Sequence, residues 1–379
     1  MRSGRTRALL GFAGFGGFWG AWGAALPAVQ AHADASDPAL GLALLCIGAG
    51  ALASMRPAGA AVDRFGGRVL PLTFGAFAAC AVLPALAGSP AALAGTLLVL
   101  GAASGAADVA INAEATHAES EGRPVMNLGH AAFSASVVVG SLGVGGLRGA
   151  GAGAAGALGT VAALLLVVTV VIARLPARWR PVPTAKASLL HIPAPLVILG
   201  ALAALAYLVE NAWQSWSAVQ LESTLDAPPA VAALGPALFG ASAAVGRLGG
   251  HALTERVTDH QLLAGGAALG ALGTLLGALA PSTPLALVGI AAAGLGTSVC
   301  APTLIGLAGR LKPRERGSAV SAVTTLAYLG FLVGPAAVGL AAGAASLPAA
   351  LTGVAVVAAV LAAGARFAPV PPDGEKMSR

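Results

Sequence analysis

Long apolar runs follow one another along almost the whole chain, separated by short polar connections that often contain proline or glycine. An α-helix needs about 20 apolar residues to cross the hydrocarbon core of a bilayer, and the runs have this length. The pattern therefore predicts twelve membrane-spanning helices. They lie at approximately 8–30, 38–61, 69–87, 91–113, 126–147, 151–173, 195–220, 230–252, 261–280, 284–308, 318–342 and 347–367.

The longest polar stretch, residues 174–194, divides the predicted helices into six and six. The second span ends in MRPAGAAVDRFGGR and the eighth ends in VGRLGGHALTERV, so both halves have arginine and glycine at comparable points. The sequence thus predicts an all-α integral membrane protein built from two six-helix pseudo-repeats. The halves are residues 1–173 and 195–379, joined by a cytoplasmic linker at 174–194.

The placement of charge predicts the orientation of these helices. With the N-terminus in the cytoplasm, the inner segments receive all of the 21 lysines and arginines except Arg148. Such an excess on the cytoplasmic side is the rule for helical membrane proteins. The outer connections carry acidic residues instead, namely Asp34, Asp37, Glu222 and Asp226. We therefore expect a multi-pass protein of the bacterial inner membrane with both termini in the cytoplasm.

Composition narrows the class of protein further. Only 9% of the residues are charged, whereas about a quarter are charged in a typical soluble domain. The net charge of +6 is explained by the inner loops, so nucleic-acid binding is not predicted. The apolar run after the N-terminal arginines is too long for a secretion signal, and we expect it to be retained as the first helix.

The residue types needed for enzyme chemistry are not grouped in this sequence. The three cysteines lie inside apolar runs, which predicts neither a disulfide nor a metal site. No phosphate-binding loop, metal-ligand cluster or nucleophile beside a base is recognisable. We therefore expect no cofactor and no enzymatic activity, and the missing phosphate loop argues against ATP-driven transport.

The connection after the second span, residues 59–70, reads GAAVDRFGGRVL. It resembles the signature of the major facilitator superfamily, in which glycine, Asp-Arg, glycine and basic residues precede the third helix. The resemblance implies two rocking halves, with this loop latching them on the inner side in the outward-open state. The corresponding latch residues are Gly59, Asp63, Arg64, Gly66 and Arg68. Gly67 stands where the family usually has a basic residue.

Two further segments resemble particular branches of that superfamily. The fourth span contains SGAADVAINAEA, similar to fucose:proton symporters, in which an acidic residue is followed four positions later by asparagine, here Asp108 and Asn112. Together with FWGAWGAALPAV in the first span, it resembles a bacterial branch that includes a membrane protein linked to rhizopine, an inositol derivative. The sequence departs at Gly23, where the symporters have an acid, and at Gly101, where drug:proton antiporters have an arginine.

Two carboxylates lie deep inside predicted spans, where a charge is costly and usually faces a cavity or a partner. Asp108 lies in the fourth span and Glu210 in the seventh. We predict that they carry the coupling protons. The alternative is structural, a hydrogen bond to a neighbouring helix for Asp108 and the cap of an internal network for Glu210.

Polar and aromatic residues in the same spans predict the substrate site, because amide groups and aromatic rings commonly hold sugars and polyols. The predicted substrate-binding residues are Trp19, Trp22, Asn112, Tyr207, Asn211, Gln214, Thr325 and Tyr328. The tryptophans of the first span could instead pack or face lipid, and Thr325 could bond its own backbone. His130, with Ser134 one turn later, could relay protons or only bond a loop.

Together these features predict a secondary transporter that works by alternating access and is coupled to protons. The predicted substrate is a small hydrophilic solute, a sugar, polyol or amino-polyol, and the protein is expected to be a monomer in the lipid bilayer. One alternative is an exporter of hydrophobic or cationic compounds. Another is a membrane receptor or scaffold that does not transport.

Overall fold

The computed structural model describes residues 3–120, 125–176, 192–253, 256–312 and 315–370. Within these ranges the regular structure consists of α-helices and short 3-10 turns. Most of the predicted linker, residues 174–194, lies outside the described residues. Eleven of the described ranges are long and apolar enough to cross a membrane, which confirms the predicted all-α membrane fold.

The first set of helices covers the predicted N-terminal half. Its members are α1 (Ser3–His32), α2 (Asp37–Phe65), α3 (Val69–Cys80), α4 (Pro90–Ser120), α5 (Met126–Gly149) and α6 (Ala154–Arg174). A 3-10 turn, Gly66–Arg68, connects α2 to α3, and a second, Leu83–Leu86, follows α3. One apolar range, Asp37–Leu86, is 50 residues long because it contains α2, α3 and both turns.

The second set of helices contains two broken spans. Its members are α7 (Ala194–Leu225), α8 (Pro229–Ala232), α9 (Leu234–Leu253), α10 (Asp259–Leu279), α11 (Thr283–Thr297), α12 (Cys300–Leu311), α13 (Arg316–Ala344) and α14 (Leu347–Gly364). The short α8 leads directly into α9, and together they cover the predicted eighth span. The predicted tenth span is likewise divided between α11 and α12, with the break at Ser298.

Local signals in the sequence explain where several helices begin and end. Ser36 and Ser346 accept hydrogen bonds from backbone N–H groups of the first turns of α2 and α14. Thr258 and Gln261 form a reciprocal capping box at the start of α10. Helix α2 stops at Gly66, whose φ of 63° lies in the left-handed region that favours glycine. The backbone conformation therefore explains why position 66 of the predicted latch motif is a glycine.

Glycines allow the helices of the first set to pack backbone against backbone. A side chain at Gly16 or Gly20 of α1 would collide with the backbone of α5. A side chain at Gly50 of α2 would collide with α4, and one at Gly101 of α4 would collide with the Ile47 carbonyl of α2. Small residues permit such close approach, which stabilises helix pairs in lipid through dispersion. The packing also explains why Gly101 cannot be the arginine of drug:proton antiporters.

Arg7 joins four segments at one end of the first set. Its Nε donates to Glu114 Oε1 at 3.0 Å, and its Nη1 donates to the carbonyls of Ile172 and Leu175 at 3.1 and 2.9 Å. Its remaining nitrogen donates to the carbonyl of Gly67. The start of α1 is thus tied to the ends of α4 and α6 and to the connection after α2. The side chains of Arg7 and Glu114 are each 1% exposed, so this is a buried ion pair rather than a free loop charge.

The second set has a comparable cluster at one end. Arg310 at the end of α12 pairs with Asp259 at the start of α10, with 2.8 Å between nitrogen and oxygen. The ring Nε2 of His260 lies 2.9 Å from the carbonyl of Ala368, just after α14. We call the end of the bundle that carries Arg7 and Arg310 the basic end.

The two sets meet at the opposite end, where α2 begins and α13 ends. Gly41 of α2 packs against Pro335 and Gly339 of α13, and Gly343 packs against Pro38. We call this the acidic end, because the connections with Asp34 and Asp226 lie there. The contacts therefore close the bundle at the acidic end.

Helices α5 and α9 extend the contact between the sets. The Ser141 hydroxyl of α5 donates to the carbonyl of Ala233, next to α8, at 2.7 Å. Gly145 packs on Ala233 as well, and Gly240 of α9 packs against Val137. At the basic end, by contrast, Asp63, Arg64 and the first residues of α13 stay exposed. The described part of the chain is thus closed at one end and open at the other.

The buried Arg7–Glu114 pair generates a stability prediction. Replacing Arg7 by Gln removes the cation of the buried pair with Glu114 and the donors to three carbonyls, and removing one partner of a buried pair typically costs about 3–5 kcal/mol. We expect a large fall in the apparent melting temperature of the purified protein in detergent. Arg310→Gln is the matched control, since its half-exposed pair is worth about 0–1 kcal/mol. Equal melting temperatures for the two variants would contradict the framework role of Arg7.

Candidate functional site

A cavity lies between the two sets of helices. Helices α1 and α5 form one wall and α7 and α9 form the other. Its lining residues, which define what we call the central cavity, are Trp19, Phe133, Ser134, Val137, Gln214, Pro236, Phe239, Gly240, Ala243 and Arg247. Because each wall belongs to a different set, a molecule bound here would contact both halves of the bundle.

Two of the predicted substrate-binding residues line the central cavity. Trp19 is half-buried and held edge-on against Phe15 and Phe18, with ring centroids 6.0 and 5.2 Å away. Gln214 lies across from it on α7 and is exposed. An indole face and a free amide suit a solute that has both hydroxyl groups and an apolar face.

Other tryptophans are packed inside the protein. Trp22 is 4% exposed and stacks on Phe18 with an interplanar angle of 15°. Trp213 and Trp216 are fully buried, and their indole N–H groups donate to the Thr274 hydroxyl and the Pro335 carbonyl. These contacts tie α7 to α10 and α13, and the two residues do not line the central cavity.

An ion pair lies at the wall of the central cavity. Arg247 of α9 donates through Nη2 to Glu210 Oε2 of α7 at 3.1 Å. The Glu210 side chain is 5% exposed, whereas that of Arg247 is 42% exposed and lines the cavity. The other carboxylate oxygen, Glu210 Oε1, is buried and has no hydrogen-bond partner. The pair therefore presents its cation to the cavity and keeps its anion behind it.

Asp108 and Asn112 lie one turn apart on α4. The Asn112 amide donates to both the side chain and the backbone carbonyl of Asp108, at 3.0 and 2.9 Å. Both residues are half-buried. No basic side chain among the described residues forms a salt bridge with Asp108. The structure therefore brings the predicted acid and amide together and leaves the acid without a cation.

The two tyrosines of the chain meet between α7 and α13. The rings of Tyr207 and Tyr328 lie 6.3 Å apart, and Phe331 completes the cluster at 6.4 and 6.1 Å. Tyr328 is 38% exposed and close enough to Asp108 to interact electrostatically with it. The aromatic cluster thus connects the second set with the acid of α4.

The remaining predicted substrate-binding residues form hydrogen bonds within the second set. Asn211 is 8% exposed and its amide donates to the Phe331 carbonyl. Thr325 is exposed, and its hydroxyl donates to the Ser321 carbonyl at 2.8 Å, which is the self-bonding alternative noted from the sequence. Both side chains keep an oxygen that can accept a further bond.

His130 lies at the start of α5, exposed, with its ring 4.9 Å from that of Phe12. The Ser134 hydroxyl donates to the His130 carbonyl at 3.0 Å and also lines the central cavity. The histidine ring is close enough to Arg247 to be influenced by the positive charge of the guanidinium.

The latch residues surround the turn after α2 at the basic end. Asp63, Arg64 and Arg68 are exposed, and nothing approaches the position of a side chain at Gly59 within 4 Å. Gly67 is buried and its carbonyl accepts from Arg7. The position at which the family usually has a basic residue is therefore buried here and tied to α1 through its carbonyl.

Gly23 is closely packed. A side chain there would lie 3.1 Å from both the Gln214 carbonyl of α7 and Pro236 of α9. The position where symporters carry an acid is thus occupied here by a close contact between the two sets.

Arg148 joins the two sets at the acidic end. Its guanidinium donates to both carboxylate oxygens of Glu222, at 2.6 and 2.9 Å, and to the Ala24 carbonyl at 2.7 Å. The two side chains are 7% and 19% exposed. This two-armed, partly buried pair holds α5 of the first set to α7 of the second.

The sequence pattern did not assign roles to Glu114 or Arg247, nor a partner to Arg148. The charge pattern groups Arg247 with the cytoplasmic basic residues, although it lies within an otherwise apolar span. Arg148 stood out as the single basic residue predicted on the outer side, and Glu222 as an acid on the same side. Pairing them required knowledge of which helices meet.

Comparison with known proteins supports the superfamily assignment. The Major Facilitator Superfamily profile matches residues 199–379. An uncharacterized MFS-type transporter of Yersinia pestis is 32% identical over 344 residues, 90% of this chain and 89% of the relative. Membrane protein MosC of Rhizobium meliloti is 27% identical over 344 residues, 90% of this chain and 84% of MosC.

The fold is also similar to that of solved transporters. A bacterial homologue of the human lysosomal transporter Spinster, in an inward-facing and occupied conformation, superimposes with a TM-score of 0.79. The two chains are 16% identical, and 96% of each is covered. The protein with the sequence above belongs to the major facilitator superfamily.

This membership confirms several sequence-based predictions. The chain is a transporter and a multi-pass protein of the bacterial inner membrane. The resemblance to the bacterial branch with the rhizopine-linked protein is confirmed by the similarity to MosC.

The Arg148–Glu222 pair generates a prediction about the acidic end. Arg148→Gln removes a two-armed contact between the sets, so the end should open more often. The readout is the labelling rate of a cysteine placed at Ser141, which is buried there, by a membrane-impermeant maleimide. The background lacks Cys46, Cys80 and Cys300. We expect labelling to accelerate about tenfold, equivalent to about 1.4 kcal/mol lost from the closed state.

Two further variants sharpen the experiment. The exchange Arg148→Glu/Glu222→Arg retains opposite charges at the same positions and should recover part of the slow labelling. Arg310→Gln removes an arginine far from the acidic end and should leave the rate unchanged. A labelling rate in Arg148→Gln equal to that of the parent would refute the proposed closure.

Proposed function

We propose that the protein is a secondary transporter that moves a small hydrophilic solute by alternating access, with coupling to protons. The observation that carries the proposal is the central cavity between the two sets, lined by Trp19, Gln214 and Arg247, with Glu210 paired to Arg247 behind the cavity wall. Charged and polar groups at membrane depth are costly and are typical of substrate or ion pathways.

The proposed topology has twelve crossings and cytoplasmic termini. The ends of α2 and α4 are both tied to Arg7 at the basic end, while α4 is 31 residues long, or about 46 Å. Residues 69–89 therefore have to return to the acidic end before α4 begins. This supports two membrane crossings within Asp37–Leu86, so that the eleven apolar ranges correspond to twelve crossings. The positive charge of the basic end supports a cytoplasmic position for it.

With the basic end in the cytoplasm, the bundle is open towards the cytoplasm and closed towards the periplasm, which is an inward-facing conformation. The contacts of α2 with α13 and of α5 with α9 then close the periplasmic side. The exposed latch residues Asp63, Arg64 and Arg68 fit a state in which the cytoplasmic latch is released. We propose that residues 1–173 and 195–379 move as the two halves, joined by 174–194, in a monomeric carrier within the lipid bilayer.

The proposed substrate is a sugar, polyol or amino-polyol. An aromatic ring at Trp19 and hydrogen-bonding groups at Gln214 and Ser134 suit a hydroxylated solute. The Tyr207–Tyr328–Phe331 cluster, together with Asn112 and Thr325, offers a second polar and aromatic wall. Trp22 and Asn211 act by supporting these walls, given their burial.

Asp108 is the proposed site of proton coupling, and Glu210 carries the second charge. Asp108 is half-buried and forms no salt bridge with a described basic side chain, so it can gain or lose a proton without breaking an ion pair. Glu210 already balances Arg247. A proton or a solute can drive the transition between the two conformations only if it binds one of them more tightly than the other. Asp108 meets this condition if it is exposed to solvent in one conformation and buried in the other.

The test uses proteoliposomes that contain a pH-sensitive dye. Sorbitol, gluconate and 1-amino-1-deoxysorbitol are added in turn, and solute-dependent proton movement is recorded. We expect Asp108→Asn to abolish proton movement while exchange of the radiolabelled solute across the membrane continues. Loss of coupling with retained exchange separates a proton site from a folding defect.

Asp259→Asn is the matched control, because this aspartate pairs with Arg310 at the exposed basic end and should leave coupling intact. Proton movement in Asp108→Asn equal to that of the wild type would refute the coupling role. Transport of apolar cations in place of these solutes would favour the exporter.

A further inference from the structure

The Arg247–Glu210 pair differs in geometry from the other pair that involves α7. In Arg148–Glu222 both carboxylate oxygens accept hydrogen bonds, at 2.6 and 2.9 Å. In Arg247–Glu210 only one bond is formed, at 3.1 Å, and Glu210 Oε1 is left buried without a partner. The Glu210 carboxylate thus accepts only one hydrogen bond from the Arg247 guanidinium.

Arg247 retains unused hydrogen-bond donors. A guanidinium has five N–H donors in a planar fork, and one of them is used by Glu210. No other hydrogen bond from Arg247 is found among the described residues. The side chain is 42% exposed and lines the central cavity, so the free donors are accessible to a molecule inside it.

We propose that Arg247 binds a carboxylate group of the transported solute, so that the substrate is a hydroxylated monocarboxylate such as a sugar acid. The proposal rests on the proposed transport function and narrows its substrate class. Planar carboxylates fit the fork of arginine through two parallel hydrogen bonds. The opposite wall, with Trp19 and Ser134, then contacts the carbon chain and hydroxyl groups.

The charge balance favours one negative charge on the ligand over two. Among the described residues, Arg247 is the only cation that lines the central cavity, and its charge is already shared with Glu210. A phosphate, with a charge of about −1.5 to −2, would leave a larger excess of negative charge in a poorly solvated site. A carboxylate leaves one negative charge, which is spread over the ligand and Glu210.

Contact with both walls links this site to alternating access. Arg247 belongs to α9 of the second set, and Ser134 and Trp19 belong to α5 and α1 of the first. A carboxylate held by Arg247 would hold the solute where the two sets face each other. The affinity for the solute can then depend on the distance between the two sets. Such a difference in affinity is required for a ligand to shift the equilibrium between the two states.

The experiment compares three probes of equal carbon number and different charge. Gluconate is an anion, sorbitol is neutral and 1-amino-1-deoxysorbitol is a cation. The melting temperature of the purified full-length protein is measured against the concentration of each, because binding stabilises the folded state. We expect gluconate to stabilise the wild-type protein at concentrations at least about tenfold lower than the other two, since charged hydrogen bonds have about this strength.

Variants at position 247 test the assignment. Arg247→Lys keeps the charge and loses the fork, and should weaken the gluconate effect. Arg247→Gln/Glu210→Gln removes both charges, so no unpaired buried carboxylate is left to disturb folding, and it should abolish the preference for gluconate. Arg256→Gln, at an exposed position of the basic end, is the control and should retain the preference.

Three results would overturn the proposal. They are a preference for gluconate that persists in the double variant, equal or stronger stabilisation by sorbitol or the amine, and stabilisation by none of the probes. If sorbitol or the amine binds and is transported, the transport function stands and the carboxylate site fails. If gluconate binds through Arg247 but no flux follows, the site stands and the transport function fails.

Discussion

The exclusion of water from the bilayer core is the constraint on which this structure depends. Every backbone N–H and carbonyl group there has to be satisfied within the protein, which leaves helices as the elements of this chain. Lipid also provides little hydrophobic drive between helices, so backbones approach closely at positions such as Gly20 and Gly101. Side chains with charge are tolerated only where a partner or a cavity compensates them. The few such places in the described bundle therefore mark its working parts.

The ion pairs of this bundle differ in placement and in geometry. Arg7 and Glu114 are buried within the first set and bind segments that stay together. Arg148 crosses from the first set to the second through a two-armed contact, so it can form in one conformation and break in another. Arg247 reaches the central cavity with only one bond. The fully buried Arg7 pair is suited to a structural role within one set. The Arg148 pair joins the two sets and is suited to a gate, and the incompletely paired Arg247 is suited to binding a ligand.

The acid of α4 and the pair between α7 and α9 give the transporter two separate electrostatic sites. Asp108 bonds to an amide and is near Tyr328, whereas Glu210 is bound to a cation. The proton exchange proposed at the first and the solute binding proposed at the second can be coupled through the proposed movement of the halves rather than by direct contact. The aromatic cluster of α7 and α13 lies between them, where its packing depends on how these helices are placed.

The sequence by itself determined the all-α membrane fold and the superfamily, because apolar length and the 59–70 motif are local properties. It also singled out Asp108, Asn112, Trp19 and Gln214, since polar residues inside apolar runs are conspicuous. Tertiary structure decided what each of them touches. It paired Arg148 with Glu222, 74 positions away. It also placed Arg247, which the charge pattern groups with the cytoplasmic loops, at the wall of the central cavity. These pairings depend on which helix faces meet, and facing is set by the packing of the whole bundle.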